Sequence, residues 1–395
     1  MDPHDYVAER VRSIALSEIR KMLRKIRQMR DVINLTIGEP DFEPFEPIKK
    51  VLVNAIYKPL YSGAVRPCAY PPGDGIRELR GVIADKVRRE NGIDATPDEV
   101  IITNGAQQGL FISMLTVLDP GDEILIPNPG FVAYEPIARV IGAIPKHYPV
   151  YEENGFKPIV DNIEKLITEK TKAILINTPN NPTGAVYPRK VLEEIAELAI
   201  NHDLVIISDE AYEKFVYDGE HVSIASLGDE VRRRTLTIFS FSKTYGMTGL
   251  RLGYVVAPAE VIKHMMKLVL YNTAGVCAPI QIAGIAAIRY CDRYVRDIIN
   301  EYKRRRDYAY KRLLEIPDIS CVKPEGAFYI FPNIGKYGDS VKVSSYLLSE
   351  ARVGVVPGKA YGSLGEYHVR MYLAKIELLG EAIDRMGRAL LKLKS

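Results

Sequence analysis

The sequence predicts an α/β fold in which a mostly parallel sheet carries helices on both faces. From about residue 100 onward, short β-branched runs alternate with helical patterns, which is typical of repeated strand–helix units. The runs are also almost continuously apolar, as expected for strands that are covered on both faces. They comprise residues 100–103, 124–126, 173–177, 204–208, 235–240 and 254–257.

The last part of the chain changes character and predicts a smaller α+β domain. A charged helical stretch covers residues 281–314, and a strand is predicted around residues 368–373. The terminal segment predicts an amphipathic helix, because apolar residues recur there at helical spacing. These residues are Ile376, Leu379, Ile383, Met386, Leu390 and Leu393. We therefore expect a large domain over residues 46–290 and a small domain formed by residues 1–45 and 291–395.

A basic stretch near the N-terminus admits more than one interpretation. Between residues 20 and 30, six basic residues interleave with apolar ones, as in a transit peptide or a nucleic-acid-binding arm. Acidic residues flank the stretch, however, at Glu9, Glu18 and Asp31. The apolar stripe is also regular enough to pack on a domain. An amphipathic surface helix is therefore the favoured prediction.

Composition limits the classes of ligand. The 395-residue chain has a net charge of +3, which predicts neither a nucleic-acid nor a membrane partner. Its four cysteines show no Cys-x-x-Cys spacing, which argues against a zinc site and against a disulfide framework. No apolar run reaches about 18 residues, and the first five residues lack the features of a signal peptide. We expect a cytoplasmic protein with a small-molecule ligand.

The most informative stretch is Ser-Phe-Ser-Lys-Thr-Tyr-Gly-Met-Thr-Gly-Leu-Arg-Leu-Gly at residues 240–253. It places Lys243 directly after an apolar strand, among hydroxyls, glycines and an arginine. A lysine so placed can form a Schiff base with an aldehyde cofactor. Ser240, Ser242 and Arg251 are the candidates to hold a phosphate on that cofactor. A solvated loop lysine is the alternative that a bare Ser-x-x-Lys would favour.

An acidic residue, Asp209, follows the strand at residues 204–208. Its carboxylate is expected in a partly desolvated crevice, where it requires a cationic partner. A protonated pyridine nitrogen would be such a partner, and Tyr212 is placed to donate to the phenolate oxygen of the same ring. Taken alone, Asp209 is better explained as a helix cap.

Two further turns follow strands. Residues 177–184, Asn-Thr-Pro-Asn-Asn-Pro-Thr-Gly, form a rigid turn from which Asn181 is expected to reach the phenolate oxygen. Residues 103–109, Thr-Asn-Gly-Ala-Gln-Gln-Gly, precede an apolar helix. Gly105, Ala106 and Gln107 therefore offer backbone amides at a helix N-terminus, where the dipole favours a phosphate. Each turn is a weak signal by itself.

An arginine, Arg370, lies in an otherwise apolar predicted strand, where an unpaired guanidinium would be costly. The α-carboxylate of a substrate is its natural bidentate partner. An aromatic residue, Phe131, follows the predicted strand at residues 124–126 in the run Pro-Asn-Pro-Gly-Phe. From the residues alone, it is equally well explained as a core side chain.

Together these motifs, in this order, resemble those of the pyridoxal-phosphate-dependent aminotransferases of classes I and II. The resemblance runs from Gly38 to Arg370 and is closest to the aspartate and aromatic aminotransferases of archaea and bacteria. It implies fold type I, with a seven-stranded sheet. It also implies that Phe131 stacks on the pyridine ring and that the amide of Gly38 assists Arg370. Finally, it implies a homodimer in which Tyr70 reaches the phosphate of the neighbouring subunit.

Within that family, Ala106 and Gln107 correspond to residues that contact the phosphate. This chain has no hydroxyl at either position, so a side-chain contribution from this loop is in doubt. One aspartate-preferring branch binds the substrate's second carboxylate with an arginine from the partner's stretch at residues 270–276. No arginine occurs here between Arg251 and Arg289. An acidic donor must therefore be recognised by other groups, and an aromatic or apolar donor stays open.

The resemblance implies ping-pong transfer of an amino group from an L-amino acid, with aspartate or aromatic donors favoured, to a 2-oxo acid such as 2-oxoglutarate. Two alternatives share the fold. One is a carbon–sulfur β-lyase or a related lyase such as a cyclopropane-carboxylate synthase. The other is a transcription regulator with an aminotransferase-like domain. The regulator is disfavoured, because the chain leaves no room for an N-terminal DNA-binding domain and carries little positive charge.

Overall fold

A computed structural model of the protein describes residues 6–12, 14, 18–57 and 66–394. The first five residues, on which the prediction about a signal peptide depends, lie outside this set. Within it the strands are β1 (Ile33–Asn34), β2 (Val100–Thr103), β3 (Glu123–Asn128), β4 (Ile144–Pro149), β5 (Thr171–Asn177), β6 (Val205–Asp209), β7 (Thr235–Ser240), β8 (Gly253–Val256), β9 (Tyr329–Ile330), β10 (Val353–Gly354), β11 (Val356–Pro357) and β12 (Val369–Tyr372).

The α-helices of the described residues are α1 (Glu9–Arg12), α2 (Glu18–Arg27), α3 (Glu46–Tyr57), α4 (Arg77–Asn91), α5 (Gly105–Val117), α6 (Tyr134–Val140), α7 (Val160–Glu164), α8 (Arg189–Asn201), α9 (Asp229–Arg233), α10 (Phe241–Thr244), α11 (Ala259–Asn272), α12 (Ala278–Tyr290), α13 (Asp292–Leu313), α14 (Ser340–Tyr346) and α15 (Ile376–Lys394). None of them is long and apolar enough to cross a membrane.

The main sheet has seven strands in the order β2-β8-β7-β6-β5-β3-β4. Neighbouring strands are parallel, except that β8 runs antiparallel to both β2 and β7. The predicted α/β class and the mostly parallel seven-stranded sheet are confirmed. The strand β4 was not among the predicted runs. It lies at the sheet edge, is only partly buried and carries Pro145 and Pro149, so it lacks the apolar run of a central strand.

The strand register brings the candidate loops to one edge of the sheet. Asn177 at the end of β5 lies opposite Asp209 at the end of β6. Gly253, at the start of β8, pairs on one side with Ser240 at the end of β7 and on the other with Thr103 at the end of β2. The loops that follow all four strands therefore meet at their carboxyl ends, which is where open α/β sheets bind ligands.

The C-terminal part forms a separate three-stranded sheet in the order β11-β12-β9, and β1 pairs with β10. Buried residues of α13 and α15, among them Tyr302, Leu313, Leu379 and Ile383, join the hydrophobic cluster around these strands. The helical stretch expected at residues 281–314 is two helices, α12 and α13, which are separated at Cys291. The expected domain bounds stay a prediction.

Both amphipathic helices that the sequence predicts are present. In α15 the residues of the apolar stripe from Leu379 to Leu390 are buried. The basic N-terminal stretch lies largely in α2, which buries Met22 and exposes most of its charged side chains. It is therefore a surface helix, as predicted.

Candidate active site

A cavity of about 670 Å³ opens where the loops after the strands meet. Apart from Gly105 and Tyr70, every residue predicted to form the site lines it. The lining predicted residues are Gly38, Ala106, Gln107, Phe131, Asn181, Asp209, Tyr212, Ser240, Ser242, Lys243, Arg251 and Arg370. Residues that are more than 300 positions apart in sequence thus share one crevice.

The lysine sits in the short helix α10, directly after β7. The side chain of Ser240 caps this helix by accepting a 3.2 Å hydrogen bond from the amide of Ser242. The amine of Lys243 donates a 2.6 Å hydrogen bond to the carbonyl of Gly38. Burial, together with the nearby guanidinium of Arg370, lowers the pKa of Lys243 to about 8. A substantial fraction of this lysine is therefore neutral near pH 8.

The carboxylate of Asp209 is buried at the end of β6. Its Oδ2 accepts a 2.8 Å hydrogen bond from the hydroxyl of Tyr134, and its Oδ1 accepts one of 3.2 Å from the amide of Ala211. Burial raises the pKa of Asp209, while the hydrogen bond from Tyr134 opposes that shift. No cationic side chain of the described residues forms an ion pair with it within 4.0 Å. A buried carboxylate of this kind favours a cationic ligand in the cavity.

The guanidinium of Arg370 is held in place by several groups, including the ring of Tyr361, whose centre lies 5.4 Å from Cζ. It donates hydrogen bonds of 2.8 Å to the carbonyl of Thr36 and 3.2 Å to the side-chain oxygen of Asn181. Its Cζ lies 4.1 Å from the centre of the Tyr329 ring. Arg370 is only 2% exposed, yet its Nε has no hydrogen-bond partner and no carboxylate of the described chain pairs with it. Such an arginine requires an anion from outside the chain.

A second arginine, Arg251, also lines the cavity. It adopts a left-handed backbone conformation and donates a 2.7 Å hydrogen bond to the carbonyl of Thr248. Gly105 lies directly behind it, with φ +75°, and a Cβ at that position would come within 2.5 Å of Arg251 Nη2. Glycine is therefore required at the start of α5. The amides of this first helical turn and the guanidinium together form a site for an anion.

Three other predicted residues are held in place by contacts with neighbouring side chains. The hydroxyl of Tyr212 lies 3.0 Å from that of Tyr329. The ring of Phe131 makes an edge-to-face contact with Tyr134, with 5.6 Å between the ring centres. The backbone amide of Asn181 donates a 2.9 Å hydrogen bond to the side chain of Asn177. The site is thus built in advance of ligand binding.

The predicted residue Tyr70 does not reach this cavity within a single chain. Its side chain is 90% exposed, and Tyr271 is 94% exposed. The role of Tyr70 in a neighbouring subunit stays a prediction.

Several lining residues were not predicted. Tyr134 and Tyr329 carry hydroxyls to the site from α6 and β9, and the wall also includes Thr36 and one face of α2. The only signal for Tyr134 was its place three residues after Phe131. The others follow no motif of the central strands, because they reach the site through packing of the C-terminal part and the N-terminal helix.

The polar and charged side chains that line the cavity fit pyridoxal phosphate. Arg251, Ser240 and the first turn of α5 would hold the phosphate, and Asp209 would pair with the protonated ring nitrogen. Two observations support this fit. Arg251 and Arg370 have no carboxylate partners among the described residues. Gly105 has no Cβ and so leaves room for the guanidinium of Arg251 beside the N-terminus of α5. Lys243 supplies the amine that an aldehyde requires.

Fold and site together define a pyridoxal-phosphate-dependent enzyme of fold type I. The chain belongs to the aminotransferase class I and II family, whose model matches residues 30–386, and it is a pyridoxal-phosphate-dependent aminotransferase. An aromatic-amino-acid aminotransferase of Thermococcus litoralis is 45% identical over 390 residues, covering 97% of this chain and 98% of that protein. An aspartate aminotransferase of Pyrococcus abyssi is 44% identical, with the same coverage of both chains.

The crystal structure of Pyrococcus protein-A1 superposes on this chain with a TM-score of 0.93 at 44% sequence identity. The superposition covers 97% of this chain and 98% of the Pyrococcus chain. These comparisons confirm the family resemblance and the dependence on pyridoxal phosphate. Amino acids and 2-oxo acids are accordingly the substrates of the enzyme.

Proposed function

We propose that the enzyme moves the amino group of aspartate or an aromatic L-amino acid to 2-oxoglutarate by a ping-pong mechanism. The observation that carries this proposal is Arg370, a buried guanidinium without an anionic partner, in the same cavity as a lysine whose pKa is lowered to about 8. An α-carboxylate on Arg370 places a substrate where Lys243 can act on it.

The residues of the cavity then have the following roles. Arg370 binds the α-carboxylate, supported by Thr36, Asn181 and the amide of Gly38. The neutral amine of Lys243 moves the proton of the substrate Cα, for which a pKa near neutrality suits a general base. The cofactor, when bound, supplies the aldehyde carbon and the protonated ring that draws electrons from Cα.

The carboxylate of Asp209 keeps that ring protonated. Its hydrogen bond from Tyr134 holds one oxygen in place and favours the ionised form of the carboxylate, opposing the effect of burial on its pKa. Tyr212 and Asn181 line the same part of the cavity, where we propose that they bind the phenolate oxygen of the ring.

A panel of amino donors with 2-oxoglutarate tests the proposal. Parallel double-reciprocal plots and formation of glutamate are expected, with the highest kcat/KM for aspartate or an aromatic donor. Release of pyruvate and ammonia from a cysteine-type substrate without any 2-oxo acid would instead indicate the β-lyase. Saturable DNA binding without amino transfer would indicate the regulator.

The working unit in this proposal is a homodimer located in the cytoplasm. Two exposed tyrosines, Tyr70 and Tyr271, support the dimer, because a monomer would leave these large rings in water. Residues 270–276, which include Tyr271, are those that the family resemblance places near the partner's site.

A further inference from the structure

One face of the N-terminal helix α2 forms part of the cavity wall. Ile19, Leu23, Ile26 and Arg27 all line the cavity, and their spacing is that of a single helical face. Three of the four are apolar, and the fourth is an arginine at the exposed edge. This part of the cavity wall therefore combines apolar surface with one positive charge.

The position of this face is fixed by packing. Met22 is buried, and Ile26 lies so close to Gly354 of β10 that a Cβ there would come within 2.5 Å of Ile26 Cδ1. A larger residue at position 354 would require the Ile26 side chain to shift. Arg27 directly follows this anchored residue, so its Cα is held at the cavity rim.

The cavity contains four cationic side chains, and three of them already have a role. Lys243 and Arg370 act on the substrate, and Arg251 serves the phosphate. Arg27 forms neither a hydrogen bond nor an ion pair with any described residue, although the cavity wall also includes the carboxylate of Glu39. It is therefore available to an anionic ligand.

We propose that Arg27 binds the second carboxylate of a dicarboxylic substrate, while Leu23 and Ile26 contact aromatic or aliphatic side chains. This inference rests on the proposed function and names the group that selects its substrates. The stretch at residues 252–288 contains no arginine, so that region offers no guanidinium for the task. One helix face would thus let a single site accept both an aromatic donor and 2-oxoglutarate.

The test compares ligands of equal length with one or two carboxylates. For turnover these are 2-oxoglutarate and 2-oxopentanoate, and for binding to the holoenzyme they are succinate and butyrate, measured by calorimetry. In Arg27→Gln, kcat/KM for 2-oxoglutarate and affinity for succinate should fall about 10- to 100-fold, the range for loss of one charge-assisted hydrogen bond. Values for the two monocarboxylates should stay within about twofold.

Two matched variants complete the design. Arg24→Gln removes a charge from the same helix, one turn earlier and outside the described cavity wall. It should change neither kcat/KM nor affinity for the dicarboxylates or the monocarboxylates. Arg27→Lys should restore part of the preference for dicarboxylates. The role of Arg27 would be overturned if Arg27→Gln lost equal affinity for dicarboxylates and monocarboxylates, or lost affinity for neither. It would also be overturned if Arg24→Gln showed the same loss.

The binding measurement separates this inference from the proposed function. If the wild-type enzyme transferred no amino group, the proposed function would fail, but the succinate and butyrate affinities would still decide the role of Arg27. If the wild-type enzyme bound succinate no more tightly than butyrate, the inference would fail even with normal amino transfer.

Discussion

Glu152 and His368 form a hydrogen bond of 3.1 Å between the loop that follows β4 and the residue that precedes β12. The same carboxylate accepts hydrogen bonds of 2.7 Å from Asn333 and 3.1 Å from Ser320. His368 is buried against Phe331, with 4.7 Å between the ring centres. The side chain of Glu152, in the loop after β4, therefore ties Ser320, Asn333 and His368 of the C-terminal part together. His368 lies two residues before Arg370.

This arrangement predicts that Glu152 is a positioning residue for Arg370. In Glu152→Gln, KM for the amino donor should rise by about three- to tenfold, with a smaller change in kcat, because the loss of charge-assisted hydrogen bonds lets β12 shift. Cofactor affinity should stay unchanged, since Glu152 is not among the described cavity residues. Steady-state kinetics and cofactor titration check both points. Glu153→Gln, an exposed neighbour, is the control, and equal effects in the two variants would contradict the role.

The same carboxylate predicts an acid-dependent loss of stability. The hydrogen bond from His368 lowers the pKa of Glu152 to about 2, below its unfolded value near 4.5. A depressed pKa stabilises the fold above the unfolded pKa, and the contribution is lost as the pH falls through the folded pKa. Between pH 4.5 and pH 2, the wild type should therefore lose about 1–3 kcal/mol relative to Glu152→Gln. Urea unfolding at several pH values measures the difference, and parallel curves for the two proteins would contradict it.

Asp209 provides a further prediction. Asp209→Ala should retain the cofactor through its phosphate contacts and Lys243, but lose turnover by several orders of magnitude, since the ring nitrogen loses its proton. Each factor of ten in rate corresponds to about 1.36 kcal/mol of lost transition-state stabilisation. Tyr134→Phe keeps the carboxylate and removes only its hydrogen bond, so a loss of about tenfold is expected. Near-normal turnover of Asp209→Ala would mean that Asp209 is a helix cap and nothing more.

Much of the site could be predicted because its chemistry follows strand ends. Asp209 and Lys243 each come directly after an apolar run, and the ends of parallel strands necessarily meet at one edge. The edge strand β4 could not be identified in this way, since its prolines and partial exposure remove the apolar run. The contacts of Tyr134, Tyr329 and Arg27 depend on how α6, β9 and α2 pack, which no local pattern specifies.

Lys243 provides another prediction, which concerns the protein freed of cofactor. The neutral amine is the form that attacks an aldehyde, and its lowered pKa of about 8 makes that form available. The rate of recombination with pyridoxal phosphate should therefore rise about tenfold per pH unit below pH 8 and level off above it. Stopped-flow absorbance measures the rate. Borohydride reduction and peptide mapping should locate the label on Lys243. A label elsewhere, or a rate that still rises steeply above pH 9, would exclude this assignment.

Substitution of Gly105 should weaken cofactor binding without unfolding the protein. In Gly105→Ala, the added methyl group meets the guanidinium of Arg251 and the backbone is strained at φ +75°. We expect the Kd for pyridoxal phosphate to rise about tenfold or more, as strain of about 1–2 kcal/mol enters the site. Gly81→Ala in α4 is the matched control, because no atom lies within 4 Å of the new methyl group. It should leave the Kd unchanged, and the same Kd in both variants would refute the close contact.

The homodimer gives the last prediction, that each active site is completed by the partner subunit. Tyr70 is exposed and does not line the cavity of its own chain, whereas Lys243 does. If Tyr70 serves the neighbouring site, a hybrid of Tyr70→Ala and Lys243→Ala chains contains one site with both lesions and one with neither. Mixing the two inactive variants should then recover part of the wild-type activity. Each parent must first be shown to be severely impaired, and subunit exchange must be demonstrated with tagged chains. Under those conditions, a mixture as inactive as its parents would mean that the site is complete within one chain.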